Sequence, residues 1–210
     1  MAEPTYASGT ERVQTRLDGR TLHIRFNNPA RHNALSVDMW EAVPPPLQLA
    51  RDDDRVLLVV FSGAGEKAFV SGADISQFED MRAARDAVAH YERMAEATLT
   101  GIHDFPKPAL ACIHGYCIDA AEAKALGLVS RLCAPEALAG LLAEYALVLG
   151  ENAPLTVMAG KGVTREILKA SPDIDMELCA ALIRGCFESA DYAEGRTAFM
   201  QKRKPVFTGR

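Results

Sequence analysis

KPALACIHGYCIDAAEAKALGLVSRL (107–132) holds two different periodicities with nothing between them. Residues 107–118 are a short apolar run entered through two prolines, which reads as a strand. Residues 119–132 are alanine- and leucine-rich around Glu122 and Lys124, which reads as a helix. A strand and the next helix are normally separated by roughly 2 to 6 loop residues, and the join between Ile118 and Asp119 has none. Either the chain carries a true internal deletion or residues are missing from the sequence as written. Both readings stay open.

Working outward, 210 residues with 49% hydrophobic content can bury a substantial core. The longest wholly apolar run, VLLVVF (56–61), is far below the roughly 20 residues of a membrane span, so no transmembrane helix is expected. MAEPTYASGTER (1–12) has no apolar signal-peptide core and mixes acids with its few basics. It is expected to be a disordered tail on a cytoplasmic protein. The formal charge of −5 gives no general attraction to nucleic acid, and only QKRKP (201–205) is locally basic. Five cysteines, Cys112, Cys117, Cys133, Cys179 and Cys186, lie in apolar runs without CxxC spacing. They are expected to be buried thiols in a reducing compartment.

RVQTRLDGRTLHIRFNN (12–28) alternates around Asp18-Gly19, which predicts a hairpin with Leu22, Ile24 and Phe26 inward. NALSVDMWEAV (33–43) begins a helix that Ser36 can cap, and the prolines at 44–46 should interrupt it. RVLLVVFSG (55–63) is continuously apolar and short, as a strand buried on both faces is. Val88, Tyr91, Met94, Ala95, Leu99 and Ile102 mark one face of a helix over 82–103. From Pro135 onward only helices are predicted, near 135–150, 154–170, 174–188 and 191–203, the last opened by a capping-box-like Asp191-x-x-Glu194. The chain thus divides into an α/β part, 1–134, and a helical part, 135–210. There is no repeat at a regular period and no low-complexity tract.

Taken singly, few residues point to chemistry. His114 reads as a hydrogen-bonded core histidine rather than a base. His90 and His103 are too far apart for one metal site, and no HExxH motif occurs. GAG at 63–65 lacks the later spacing of a dinucleotide fingerprint. Asp119 and Glu122 follow the strand and could act as acid or base, but helix capping and solvation are the plainer roles.

In combination, NNPARHNALSVDMW (27–40), AFVSGADIS (68–76), HGYCI (114–118) and EGRTAFMQKRKPVFTGR (194–210) occur in the order seen in the crotonase family of enoyl-CoA hydratases and isomerases, which the chain resembles over nearly its whole length. The resemblance implies a ββα spiral core followed by helices that form a trimer or a pair of trimers. It implies acyl-CoA thioesters as substrates, no metal or redox cofactor, and no nucleic-acid or membrane partner. In the family HGYCI precedes a glycine triplet, and Asp119 stands where that triplet should begin, so roughly sixty family residues are absent at 118/119 on the usual domain scale.

By motif match, the Ala73 backbone N–H would be one of two donors to the thioester oxygen, and Gly72 would let the backbone approach the ligand. The second donor and the two family glutamates fall in the absent block. Ala73, Asp74, Ile75 and Ser76 match the loop beside the pantetheine arm. Arg31, Ala34 and Leu35 match the segment at the nucleotide end, where an arginine can pair with phosphate or be solvated. Phe199 and Lys202 match positions that close the CoA site, often from a neighbouring subunit. Asp74 is expected to hold the loop rather than react. The implied activity is addition of water to a 2-enoyl-CoA. The alternatives are a deletion form that binds acyl-CoA weakly or only assembles, and another activity of the same fold, such as isomerase, hydrolase or decarboxylase.

Overall fold

The computed structural model describes residues 6–74, 85–115 and 120–210, with 85–88 described by backbone alone. β1 (Val13–Asp18) and β2 (Thr21–Phe26) form the expected hairpin in the register Val13↔Phe26 to Asp18↔Thr21. Gly19 takes φ +57 at the first central position of the turn, as a twisted two-residue hairpin requires. Leu22, Ile24 and Phe26 face inward and are buried. β3 (Leu58–Gly63) pairs parallel with β2, and β4 (Ala109–Cys112) pairs parallel with β3, giving the order β1-β2-β3-β4. Leu58, Val59, Val60 and Phe61 are all buried, which fits a central strand covered on both faces. The last strand is only half-buried.

The prolines act differently from the simple expectation. α1 (Val37–Ala42) stops at Val43, and α2 (Pro44–Asp52) starts at once with all three prolines in its first turn. There the missing N–H groups would have had no intrahelical partner, so the prolines restart the helix after a break instead of ending it. Ser36 occupies the N-cap position of α1 but makes no capping bond. Its hydroxyl donates to Asp38 and accepts from the Arg12 guanidinium at 3.3 Å.

α3 (Arg85–His103) lies on α1 and α2. The expected stripe holds at Tyr91, Met94, Ala95 and Ile102, which are half-buried, but Thr98 at 1% exposed takes the place of Leu99 at 58% exposed. The Thr98 hydroxyl donates to the Trp40 carbonyl at 2.8 Å, and that bond makes a polar residue the better buried neighbour. The packed chain also begins within the tail expected over residues 1–12. Tyr6 is buried, and its hydroxyl donates to Asp53 at 2.6 Å. Burial, then that bond, pushes the phenol up to about 12. Arg55 holds Asp53 well below the carboxylate range.

α4 (Ala120–Ala125) follows, with Ala123 as its buried residue and Glu122 exposed. The helical part comprises α5 (Leu138–Gly150), α6 (Pro154–Ile167), α7 (Met176–Phe187) and α8 (Ala190–Met200). Gly162 allows α6 and α7 to cross closely, since a Cβ there would lie 2.7 Å from the Leu182 Cδ1. Lys161 joins these helices to the sheet, donating to the Phe105 and Lys107 carbonyls at 2.6 and 2.9 Å. Lys107 is itself buried and donates to the Ala50 and Asp53 carbonyls at the end of α2, which satisfies orphan acceptors there.

The predicted capping box of the last helix is not used as one. Ser189 caps α8, its hydroxyl accepting from the Tyr192 N–H at 3.0 Å. Asp191 accepts instead from the Thr208 and Gly209 N–H groups at 2.7 and 2.8 Å. Glu194 takes both guanidinium nitrogens of Arg203 and the Val206 N–H. The two carboxylates therefore fold the chain end back onto the helix. Of the cysteines described, only Cys179 is buried; Cys112 and Cys186 are half-buried and Cys133 is exposed.

Candidate active site

Two segments that are distant in sequence cross beside the sheet. Pro29–Arg31 forms a single 3₁₀ turn, after which His32 and Asn33 take φ +51 and +57. Asparagine tolerates this left-handed region better than most residues. The fully buried Asn33 amide donates to the Ala64 and Ala68 carbonyls at 2.9 and 2.8 Å, and its oxygen accepts the Asn28 N–H. One side chain thus fixes the 29–34 turn against the loop that follows β3. Gly115 closes that loop from the other side. It takes φ +73, and a Cβ on it would lie 2.0 Å from the Lys67 carbonyl oxygen. His114 bonds the Gly65 carbonyl at 2.9 Å through Nε2. It is hydrogen-bonded as expected, yet half-exposed rather than in the core.

The supported loop delivers residues 71–74 against 31–35. Leu35 N–H donates to Gly72 O at 2.8 Å, and Asp74 N–H donates to Leu35 O at 2.9 Å, forming a parallel bridge between Leu35 and Ala73. In parallel pairing a residue bonds the partners on either side of its opposite number. The Ala73 N–H and C=O therefore face away from Leu35, and among the described residues the Ala73 amide donates to no acceptor. Gly72 takes φ +117, which side-chain-bearing residues rarely adopt, and a Cβ there would meet nothing within 4 Å. Glycine is needed at this point for its backbone angle.

Asp74 is 6% exposed and accepts from the Arg31 guanidinium at 3.1 Å. That pair ties the two segments together, as expected for a residue that holds the loop. Arg31 remains about half exposed. Ala34 and Leu35 are buried, with their backbone groups taken up in the turn and the bridge. Ile75, Ser76 and Asp119 lie outside the described residues.

Phe199 and Lys202 sit elsewhere, at the end of α8. Lys202 N–H donates to Phe199 O and Arg203 N–H to Ala198 O, the bonding of a Schellman helix end. Lys202 occupies its left-handed position at φ +54, where glycine is usual. Phe199 is 82% exposed. No hydrogen bond or ion pair among the described residues joins either one to residues 31–74. The structure thus brings together Arg31, Ala34, Leu35, Ala73 and Asp74 and leaves Phe199 and Lys202 apart.

His90 bonds Glu41 and His103 bonds Asp104. Among the described residues no cluster of His, Cys, Asp or Glu is spaced to hold a metal ion, and no helix is long and apolar enough to cross a membrane.

The family described as Enoyl-CoA hydratase/isomerase matches residues 21–120, ending at the join. Over those residues, just under half of its length, the chain is similar to that family. The short-chain-enoyl-CoA hydratase of Clostridium acetobutylicum is 22% identical, over 89% of this chain and 94% of that protein. The mitochondrial Delta(3,5)-Delta(2,4)-dienoyl-CoA isomerase of mouse is 34% identical over 46% of this chain and 32% of the isomerase. Among solved structures, an enoyl-CoA hydratase/carnithine racemase from Magnetospirillum magneticum superposes with a TM-score of 0.85 at 24% identity, covering 96% of this chain and 97% of that one. The α/β crotonase fold is thereby shown.

The comparisons also bear on the join. In the Clostridium match, 89% of 210 residues is about 187, set against 246 aligned positions, so about 59 positions of that hydratase have no counterpart here. That is the size of the block whose absence the motifs imply.

Proposed function

We propose that this chain acts on acyl-CoA thioesters at the crossing of residues 31–35 and 71–74, adding water to a 2-enoyl-CoA. The observation that carries this reading is the Ala73 N–H, turned away from Leu35 by the bridge and without an acceptor among the described residues. A fixed amide donor aimed at the thioester oxygen stabilises the charge that develops there when water oxygen bonds the β-carbon, and a proton then reaches the α-carbon. The loop needs no reorganisation to present the donor, because Asp74, Asn33 and Gly115 hold it from three sides. Arg31, about half exposed beside Asp74, is placed to meet a phosphate of the CoA moiety.

Phe199 and Lys202 reach the site in an assembly, contributed to a neighbouring subunit of a homotrimer or a pair of trimers. Exposed Leu126, Leu128, Leu147, Val148, Ile167 and Leu168 supply the apolar surface such an assembly would bury; sedimentation velocity distinguishes it from a monomer. A second reading, acyl-CoA binding without turnover, is favoured by the 59 unmatched positions.

Crotonyl-CoA separates the readings. Hydration by the native chain, reduced roughly 10²- to 10³-fold in Ala73→Pro, supports the hydratase. A rise in melting temperature with crotonyl-CoA but no hydration supports the binding form. Neither effect contradicts both.

A further inference from the structure

A small cavity lies at the end of the sheet opposite the Ala73 loop, where α2, the starts of β2 and β3, α6 and the returning tail meet within one chain. Its volume is about 110 Å³, against a liquid share of about 30 Å³ per water. It has room for a five-atom oxyanion and too little for a nucleotide.

The wall holds donors that lack acceptors. Lys107 is 6% exposed, and its ammonium donates to the Ala50 and Asp53 carbonyls at 2.7 and 2.8 Å. An ammonium has a third N–H, which meets no acceptor among the described residues. Burial pushes the Lys107 ammonium down from the usual lysine range, and Arg20 adds to the shift; Asp54, Asp53 and Asp52 oppose it, none of them bonded to it. Asp53 is already held by Arg55 and Tyr6. Arg20 donates to the Asp54 carbonyl at 2.9 Å. Arg51 makes no hydrogen bond or ion pair among the described residues. Asp54 is the one acid of the wall, and its side chain is 64% exposed and paired with Arg210 at 3.5 Å.

α6 opens on the same cavity. Its N-cap is Ala153, so no side chain caps it. Leu155 lines the cavity, and its N–H donates to no acceptor among the described residues. A helix N-terminus with converging cations is an anion-binding arrangement. A water accepts the spare Lys107 N–H equally well, but it leaves the charge of the buried ammonium and two guanidinium groups without an offset. We propose that the cavity binds a small tetrahedral oxyanion of the phosphate and sulfate class, held by Lys107, Arg20 and Arg51 at the start of α6. The anion ties the sheet and α2 to the helical part, and the Ala73 loop takes no part.

Inorganic phosphate is titrated into the full ¹⁵N-labelled chain at constant ionic strength set with sodium chloride, and the Leu155 amide resonance is followed. The expected result is a saturable downfield shift, with affinity weakened about tenfold in Arg51→Gln and in Arg20→Gln and unchanged in Arg31→Gln. Lys107 is left in place, because its loss unpairs two carbonyls, whereas Arg51 bonds nothing and its substitution leaves the fold intact. Sulfate should displace phosphate, and AMP, the same group on a larger body, should leave Leu155 unmoved. A shift that does not saturate, or that chloride alone reproduces, overturns the proposal, as does unaltered affinity in both Arg51→Gln and Arg20→Gln. Affinity lost in Arg31→Gln instead places the anion at the candidate active site and also overturns it. A response to AMP equal to that to phosphate overturns the assignment to a small free anion.

Discussion

Asn33 does more for the candidate site than any residue singled out by motif. Its amide makes three hydrogen bonds to backbone groups of two other segments, from a fully buried position and a left-handed backbone. Asn33→Ala leaves the Ala64 and Ala68 carbonyls without this donor and places alanine at a positive φ. At about 1 kcal/mol per net hydrogen bond, with the unpaired groups adding to it, the expected loss is about 3 kcal/mol by urea unfolding. A loss below about 1 kcal/mol would show that the loop is held elsewhere. The sequence contained a signal, an asparagine between a prolyl turn and a helix start, but its role depends on carbonyls more than thirty residues away. Gly115 is similar: a glycine in HGY is visible, whereas the 2.0 Å approach of Lys67 O exists only after folding. By contrast, the Asp74 role was readable locally, since short polar side chains commonly fasten turns.

Strands and helices with strong periodicity were legible because burial of one face is a property of the segment itself. The hairpin and its inward face followed from alternation around Asp18-Gly19, although the turn itself is Gly19-Arg20, and β3 followed from its unbroken apolar run. Misreadings arose where a tertiary partner decided the matter. Thr98 displaced Leu99 because a carbonyl of α1 needed a donor, and the capping pair of α8 was diverted to the tail. The tail contact is pH-sensitive. Arg203, followed by the Val206 N–H, lowers the Glu194 carboxyl to about 2 from an ordinary 4.5. The stability it contributes is therefore fully present above about pH 4.5 and is lost as pH falls toward 2. Amide exchange of residues 206–209 should accelerate across that window ahead of the β-sheet, and Glu194→Gln should already show the faster exchange at pH 6. Tail protection unchanged by the substitution would assign the contact to Asp191 alone.

In the whole molecule, a hydrophobic sheet packed against α1 and α2, on which α3 lies, carries a loop whose donor faces away from Leu35, while much of the helical part remains uncovered. The resemblance to the family was legible from separated motifs in order, and the shortfall of about 59 positions from a missing linker. The exposed apolar faces were not legible, since periodicity marks a face as apolar without telling whether this chain or another covers it. Whatever the rate of turnover, the proposed site stands on the Ala73 N–H being the donor offered to the thioester. The direct measurement is the amide resonance of Ala73 in an ¹⁵N-labelled chain titrated with butyryl-CoA. A saturable downfield shift at Ala73, with β1 and β2 unmoved, is predicted. An unchanged Ala73 resonance at saturating ligand would contradict the account.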